Sequence, residues 1–270
     1  MTDERRSGCL IIIGGHEDRD PKGDRVILKE VARHIKKGKL VLATVASRQP
    51  EGYFDEYERA FADLGIGELV ELYLEDRGEA WDREKLQVLD DAAGIFFSGG
   101  DQLRITSQIG DTGIEAKVRA LFRRGGLVAG TSAGASVMSE TMLVRGTSRE
   151  THRIGDLSMA PGLGLISNVI VDQHFAERGR FGRLIGAVAH NPRMLGMGID
   201  ENTAAVVEGK QLRVMGEGAV YIVDGSRSTY SNVGDARTDV TLAMHNIAVH
   251  VLAEGNRFDM ERREPSRAEG

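Results

Sequence analysis

The 270-residue chain has a single cysteine, Cys9, so it has no intrachain disulfide and no cysteine-based zinc site. Cys9 is read as a small apolar core residue. No apolar stretch approaches the roughly 20 residues that span a bilayer, and Met1-Thr2-Asp3-Glu4-Arg5-Arg6-Ser7 lacks the apolar centre of a signal peptide. A cytoplasmic protein with no membrane partner is expected. Basic residues are not in surplus. The formal charge of −6 argues against a nucleic-acid partner, because phosphate-driven affinity needs a concentrated cationic surface. Three ligand motifs are also missing: G-x-G-x-x-G spacing, a P-loop lysine after Gly14-Gly15, and H-E-x-x-H. The consecutive His16-Glu17-Asp18 does not replace them, since neighbours in sequence rarely point at one centre. Neither metal nor cofactor is expected.

Alternating apolar segments fill the first half. Cys9-Leu10-Ile11-Ile12-Ile13 is a continuous apolar run closed by Gly14-Gly15, the pattern of a strand buried on both faces. Residues 24–37 place Ile27, Val31 and Ile35 a helical turn apart, with Leu28 and Ala32 beside them. Strand patterns at 40–46, 69–74, 93–97 and 127–130 alternate with helical ones near 54–64 and 114–124. Such βαβ units imply an α/β fold with a mainly parallel sheet and helices on both faces. Short, closely spaced strands at 169–172, 195–200, 204–207, 212–215, 220–223 and 247–252 imply additional antiparallel strands in the C-terminal half. One domain over 8–259 is expected, with 1–7 and 260–270 as loose tails.

Ligands of such sheets gather at the carboxyl ends of strands. There the sequence places Gly130-Thr131-Ser132-Ala133-Gly134, read as a nucleophile elbow: a strand ends, the chain turns sharply, and Ser132 is lifted clear while the Ala133 N–H faces a developing oxyanion. Gly100, in the glycine-rich turn Ser98-Gly99-Gly100-Asp101-Gln102, offers a second oxyanion donor. A serine nucleophile needs a base. His34 and His190 fall in helical contexts, His245 and His250 in a strand-like one, and His152 in a polar stretch. His174 directly follows the strand at 169–173 and is the preferred base. Gly198-Ile199-Asp200-Glu201 supplies the orienting acid at another strand end. Glu201 is preferred because Asp200 lies nearer the strand proper, but spacing alone leaves both open. An α/β-hydrolase order, with His245 or His250 as base, fits less well. Arg178, Arg180 and Arg183 follow His174 and are candidates for a substrate carboxylate; Asp172 and Gln173 are candidates for a cationic or amide group.

Five ordered blocks together, Gly14-Gly15-His16-Glu17-Asp18, Ser98-Gly99-Gly100-Asp101-Gln102, Gly130-Thr131-Ser132-Ala133-Gly134-Ala135, Asp172-Gln173-His174-Phe175 and Gly198-Ile199-Asp200-Glu201-Asn202-Thr203-Ala204, resemble the cyanophycinases over roughly residues 9–225. These sit with the aspartyl dipeptidases in a serine peptidase family whose fold is similar to class I glutamine amidotransferases, with a flavodoxin-like core. The resemblance implies hydrolysis of cyanophycin, a poly-aspartate with arginine joined to each side-chain carboxyl, to β-aspartyl-arginine dipeptides. It implies Ser132, His174 and Glu201 as the catalytic residues, no cofactor, and a homodimer. It also implies that the arginines, Gln102 and Gln173 border the substrate and that Asp172 and Asp101 face its guanidinium. An aspartyl or isoaspartyl dipeptidase, or a binding protein retaining the fold, are the alternatives.

Overall fold

The computed structural model describes residues 8–48, 50, 52–145, 153–155, 157–235 and 240–267. Strand β1 (Cys9–Ile13) has no polar side chain to turn toward water, and all five residues are buried. Helix α1 (Val26–Ile35) buries the face predicted for it, Ile27, Leu28, Val31, Ala32 and Ile35. The alternation continues through β2 (Lys39–Ala43), α2 (Tyr53–Phe61), β3 (Glu68–Leu72), α3 (Arg83–Gln87), β4 (Ala92–Phe97), α4 (Gln102–Ile109), α5 (Gly113–Arg123), β5 (Leu127–Thr131) and the short α6 (Ala133–Ser136). There follow β6 (Thr141–Arg145), β7 (Ser158–Pro161), β8 (Val169–Gln173), α7 (Phe181–His190), β9 (Leu195–Ile199), β10 (Thr203–Glu208), β11 (Gln211–Gly216) and β12 (Val220–Asp224). Short strands β13 (Tyr230–Ser231) and β14 (Met244–His245), then β15 (Ala248–Leu252), β16 (Arg257–Asp259) and β17 (Glu264–Ser266), complete the order.

Nine strands form the main sheet in the order β17-β16-β11-β10-β1-β5-β4-β2-β3. From β1 to β3 neighbours are parallel, with Ile13 opposite Thr131 across β1 and β5. On the other side β10 joins β1 antiparallel, Ile13 opposite Ala204. A second sheet runs β15-β12-β9-β8, parallel between β8 and β9 and antiparallel beyond. The short α6 packs on β5 of one sheet and β8 of the other, and one apolar cluster holds Ile12 and Val128 together with Val171, Met197 and Ile222. The ends of β1, β5, β8 and β9 therefore meet.

The antiparallel strands expected in the C-terminal half are present but divided, some widening the main sheet and others making the second. Of the segment from 260 onward expected to be loose, Glu264–Ser266 is instead a strand, and 268–270 lie outside the described residues. β17 pairs with β16 through Phe258 opposite Pro265, and the buried Phe258 anchors that edge. Among the described residues no helix is long and apolar enough to cross a membrane.

Candidate active site

The turn from β5 into α6 is shaped by what it cannot hold. A Cβ on Gly130 would lie 2.5 Å from the Gly134 carbonyl oxygen, and one on Gly134 would lie 2.3 Å from that of Phe97. Between them Ser132 adopts φ 53° and ψ −109°, a conformation a side-chain-bearing residue holds only when its surroundings enforce it. The enforcement is visible: the Ser132 N–H donates to the Ile13 carbonyl at 3.0 Å.

His174 follows β8 and is fixed in the same way, its N–H donating to the Gly14 carbonyl at 2.8 Å. Asn202, after β9, donates to the Gly15 carbonyl at 2.8 Å. Three successive carbonyls at the end of β1 thus hold three loops. Gly15 has no substitute, because at φ +116° its Cβ would fall 2.3 Å from His174 Cε1.

The side chains converge. His174 Nε2 is 2.9 Å from Ser132 Oγ, and His174 Nδ1–H donates to Glu201 Oε1 at 2.6 Å. The Glu201 N–H in turn donates to Glu177 Oε1 at 3.1 Å. Asp200, left open as the acid by spacing, is occupied: its carboxylate accepts the N–H groups of Ala176 and Ala219. Burial pushes the His174 pKa below its ordinary 6.5, the Glu201 hydrogen bond opposes this, and the nearby Arg178 and Arg180 add to the depression. The imidazole is therefore neutral near pH 7 and able to accept a proton. Among the described residues neither the Ala133 nor the Gly100 N–H has an acceptor, and Gly99 runs so close that its Cβ would stand 3.6 Å from that of Ser132. His245 and His250 lie on β14 and β15, outside this cluster, and His152 lies outside the described residues.

The serine opens onto a cavity of about 200 Å³ lined by His16, Arg19, Tyr53, Gly99, Gly100 and Arg178, among others. Its wall holds a residue that sequence reading passed over. Glu17 is 3% exposed, and its carboxylate accepts Thr131 Oγ1–H at 2.5 Å and the Tyr57 hydroxyl. It ties the residue before the serine to α2, while Arg19 lies over the Tyr57 ring at 5.2 Å. His16 Nε2 approaches Glu201 Oε1 at 3.7 Å.

The basic cluster after His174 divides. Arg178 is exposed and lines the cavity. Arg180 and Arg183 are buried, and the expectation that they take a substrate carboxylate is corrected. Asp172 is fully buried and accepts both Nε and an Nη of Arg183, together with an Nη of Arg180 at 3.1 Å. A carboxylate inside a strand covered on both faces needs such partners, so Asp172 does not face a substrate guanidinium. Burial brings the Arg180 pKa down to about 10, and Asp172 counters it. Gln173 is corrected likewise, since it is buried, with Oε1 accepting from Arg180 at 3.0 Å and Nε2 donating to Ser136 Oγ at 3.4 Å. Gln102 Nε2 donates to the Leu143 carbonyl at 3.1 Å, and Asp101 caps α4 by accepting the Leu103 N–H at 2.8 Å. Neither lines the cavity at Ser132.

Ligand atoms of His16, His174 and Glu201 lie within 4.8 Å of one another, but both His174 nitrogens are already engaged, one by Ser132 and one by Glu201. Cys9, His34 and Glu208 form a second such group, in which burial pushes the thiol up to about 12 and Arg33 sits 3.1 Å from His34 Nε2.

A strained serine joined through a neutral imidazole to a carboxylate, at the carboxyl ends of an α/β sheet, has the geometry of the serine hydrolases. Comparison with known proteins carries this further. The chain belongs to peptidase family S51, whose sequence pattern matches residues 10–215. It is 36% identical over 264 residues to a cyanophycinase of Geminocystis herdmanii, covering 95% of each chain. A cyanophycinase of Trichormus variabilis is 38% identical over 265 residues, covering 97% of this chain and 89% of its own. The crystal structure of a peptidase from an acI-B1 Actinobacterium superposes with a TM-score of 0.66 at 23% identity, covering 90% of this chain and 97% of that one, a likeness of fold.

Proposed function

We propose that this peptidase hydrolyses cyanophycin as an exopeptidase and releases β-aspartyl-arginine dipeptides. Two curated relatives of that name at 36–38% identity over nearly the whole chain support the substrate, and the continuous contact Ser132–His174–Glu201 is the observation that carries the chemistry. In this reading His174 Nε2 takes the Ser132 Oγ proton as the oxygen attacks an aspartyl backbone carbonyl. The Ala133 and Gly100 N–H groups hold the oxyanion. The imidazolium, steadied by Glu201, then protonates the leaving amine. Water, deprotonated by the same imidazole, releases the acyl group from Ser132. In the same reading the exposed Arg178 on the cavity wall receives a carboxylate of the bound unit, whereas Arg19 is held by Glu56 at 3.1 Å. The enzyme acts as a cytoplasmic homodimer, each chain carrying one peptidase domain from residue 8 onward, and size-exclusion chromatography with light scattering tests the oligomeric state.

The small cavity favours a second reading, a dipeptidase for aspartyl or isoaspartyl peptides. One assay decides between them. Incubation with purified cyanophycin is expected to release a dipeptide with the mass of β-aspartyl-arginine; cleavage of isoaspartyl dipeptides with the polymer left intact would overturn the first reading.

A further inference from the structure

The cavity at Ser132, about 200 Å³, lies below the roughly 300–1,000 Å³ of typical ligand sites, so most of a chain-like substrate must lie outside it. Beside it is a far larger open cleft of about 1100 Å³, and Gly100 lines both. At φ +142° a Cβ on Gly100 would stand 2.5 Å from the Ala46 carbonyl oxygen. The loops after β4 and β2 therefore touch at this point with no side chain between them. The cleft continues along α4 and reaches Pro161 at the end of β7.

Its charges differ from those buried under His174. Arg77 donates to the Ser107 carbonyl at 2.8 Å, and Arg104 donates to the carbonyls of Ser47 and Leu74 at 3.1 and 3.2 Å. Arg48 is exposed and has no partner among the described residues. A carbonyl orients a guanidinium without neutralising it, so three cations line the cleft with their charge unspent. In the same wall Arg119 is paired with Glu115 at 2.6 Å and contributes no such charge. Two exposed carboxylates, Asp101 and Asp111, complete the lining.

We propose that this cleft is the groove that holds the uncleaved part of the substrate. It would take a zwitterionic polyamide whose carboxylates meet Arg48, Arg77 and Arg104 and whose guanidinium groups meet Asp101 and Asp111. The chain then crosses the bare Gly99-Gly100 backbone to reach Ser132. Each cyanophycin unit presents one carboxylate and one guanidinium, so the proposal rests on the substrate reading above and extends it from one unit to several.

The test compares cyanophycin with its two-unit fragment, (β-Asp-Arg)₂, in the full-length enzyme. Arg48→Glu/Arg77→Glu is expected to raise KM for the polymer about tenfold, the order two exposed charge contacts give when made repulsive. The loss of kcat/KM on the fragment should be at least about fivefold smaller. Arg48→Lys/Arg77→Lys should recover most of the polymer KM. Arg48 is exposed, so Arg48→Glu alone serves if the double variant does not fold. Equal losses on both substrates, or an unchanged polymer KM, would overturn the groove. Co-sedimentation with insoluble cyanophycin in a Ser132→Ala background separates binding from cleavage. Binding abolished by the two glutamates supports the groove, whereas binding indifferent to them, or no binding at all, overturns it. Polymer that is bound through Arg48 and Arg77 yet left uncut by the wild-type enzyme would overturn the substrate reading alone.

Discussion

The two sheets contribute to the site in different ways. The parallel half of the main sheet delivers Ser132 from strands whose apolar side chains leave one buried arrangement, and it stores strain in a single turn between two glycines that admit no Cβ. The second sheet delivers His174 and Glu201 from β8 and β9, and it carries an ionic core, Asp172 with Arg180 and Arg183, with Asp172 in β8 two residues before His174. Backbone hydrogen bonds to the end of β1 hold both Ser132 and His174, but close packing around glycines shapes the serine's turn whereas buried charge backs the strand before His174. An apolar sheet sets position through packing that has few alternatives. A buried ion cluster sets orientation through directional hydrogen bonds, and it fails sharply when one member is lost.

That contrast can be broken or sharpened by substitution. The largest effect is expected for Ser132→Ala, which should lower turnover at least about a thousandfold, leaving oxyanion and binding contributions alone. Circular dichroism and melting should stay near wild type, and near-normal dipeptide release would end the mechanism. Asp172→Ala leaves two buried guanidinium groups unpaired and should cost about 3–5 kcal/mol, or roughly 6–20 °C in Tm, by calorimetry. A Tm within about 2 °C of wild type would show that the ionic core does not hold the second sheet's loops. Glu201→Gln should preserve Tm and reduce kcat by up to about 10⁴-fold, because the amide no longer holds the Nδ1–H tautomer or steadies the imidazolium. The smallest effect lies in the pH profile. In the proposed mechanism neutral His174 is the active form and burial holds its pKa below 6.5, so kcat/KM should still exceed half its plateau at pH 6.5 and reach the half-point only as pH drops to the depressed value. Removing the Arg178 cation by Arg178→Ala should move that limb upward. A wild-type half-point at or above 6.5 would contradict the burial argument.

The difference between the sheets also explains what could be read from the sequence. Ser132 was legible because an elbow is local, with its strand, glycines and helix all within a dozen residues. His174 and Glu201 were legible as polar residues directly after apolar strands, and the structure holds His174 against Ser132 and Glu201 against His174. Asp172 was misread because a carboxylate before a candidate base looks the same whether it faces substrate or interior. Only the fold brings Arg183 onto it, 11 residues away. Glu17 was passed over because its partners, Tyr57 and Thr131, stand 40 and 114 residues away. The parallel strands announced themselves as apolar runs, but how the later strands divide between two sheets depends on pairings such as β1 with β10, about which alternation says nothing.

The pairing of β10 beside β1 has a temporal consequence. Ile13 lies opposite Ala204, and the Asp18 N–H reaches across to the Asn202 side chain, 184 residues on. A chain emerging from the ribosome cannot close this contact until about three quarters of its length has been made, and contacts of such long range are slow to form in any case. The nucleophile's strand is complete well before that point, while the acid that orders its base is still unmade. A nascent chain would thus carry Ser132 at the end of its finished strand before the residues that complete the Ser132–His174–Glu201 contact exist, so that the order of synthesis itself delays assembly of the site.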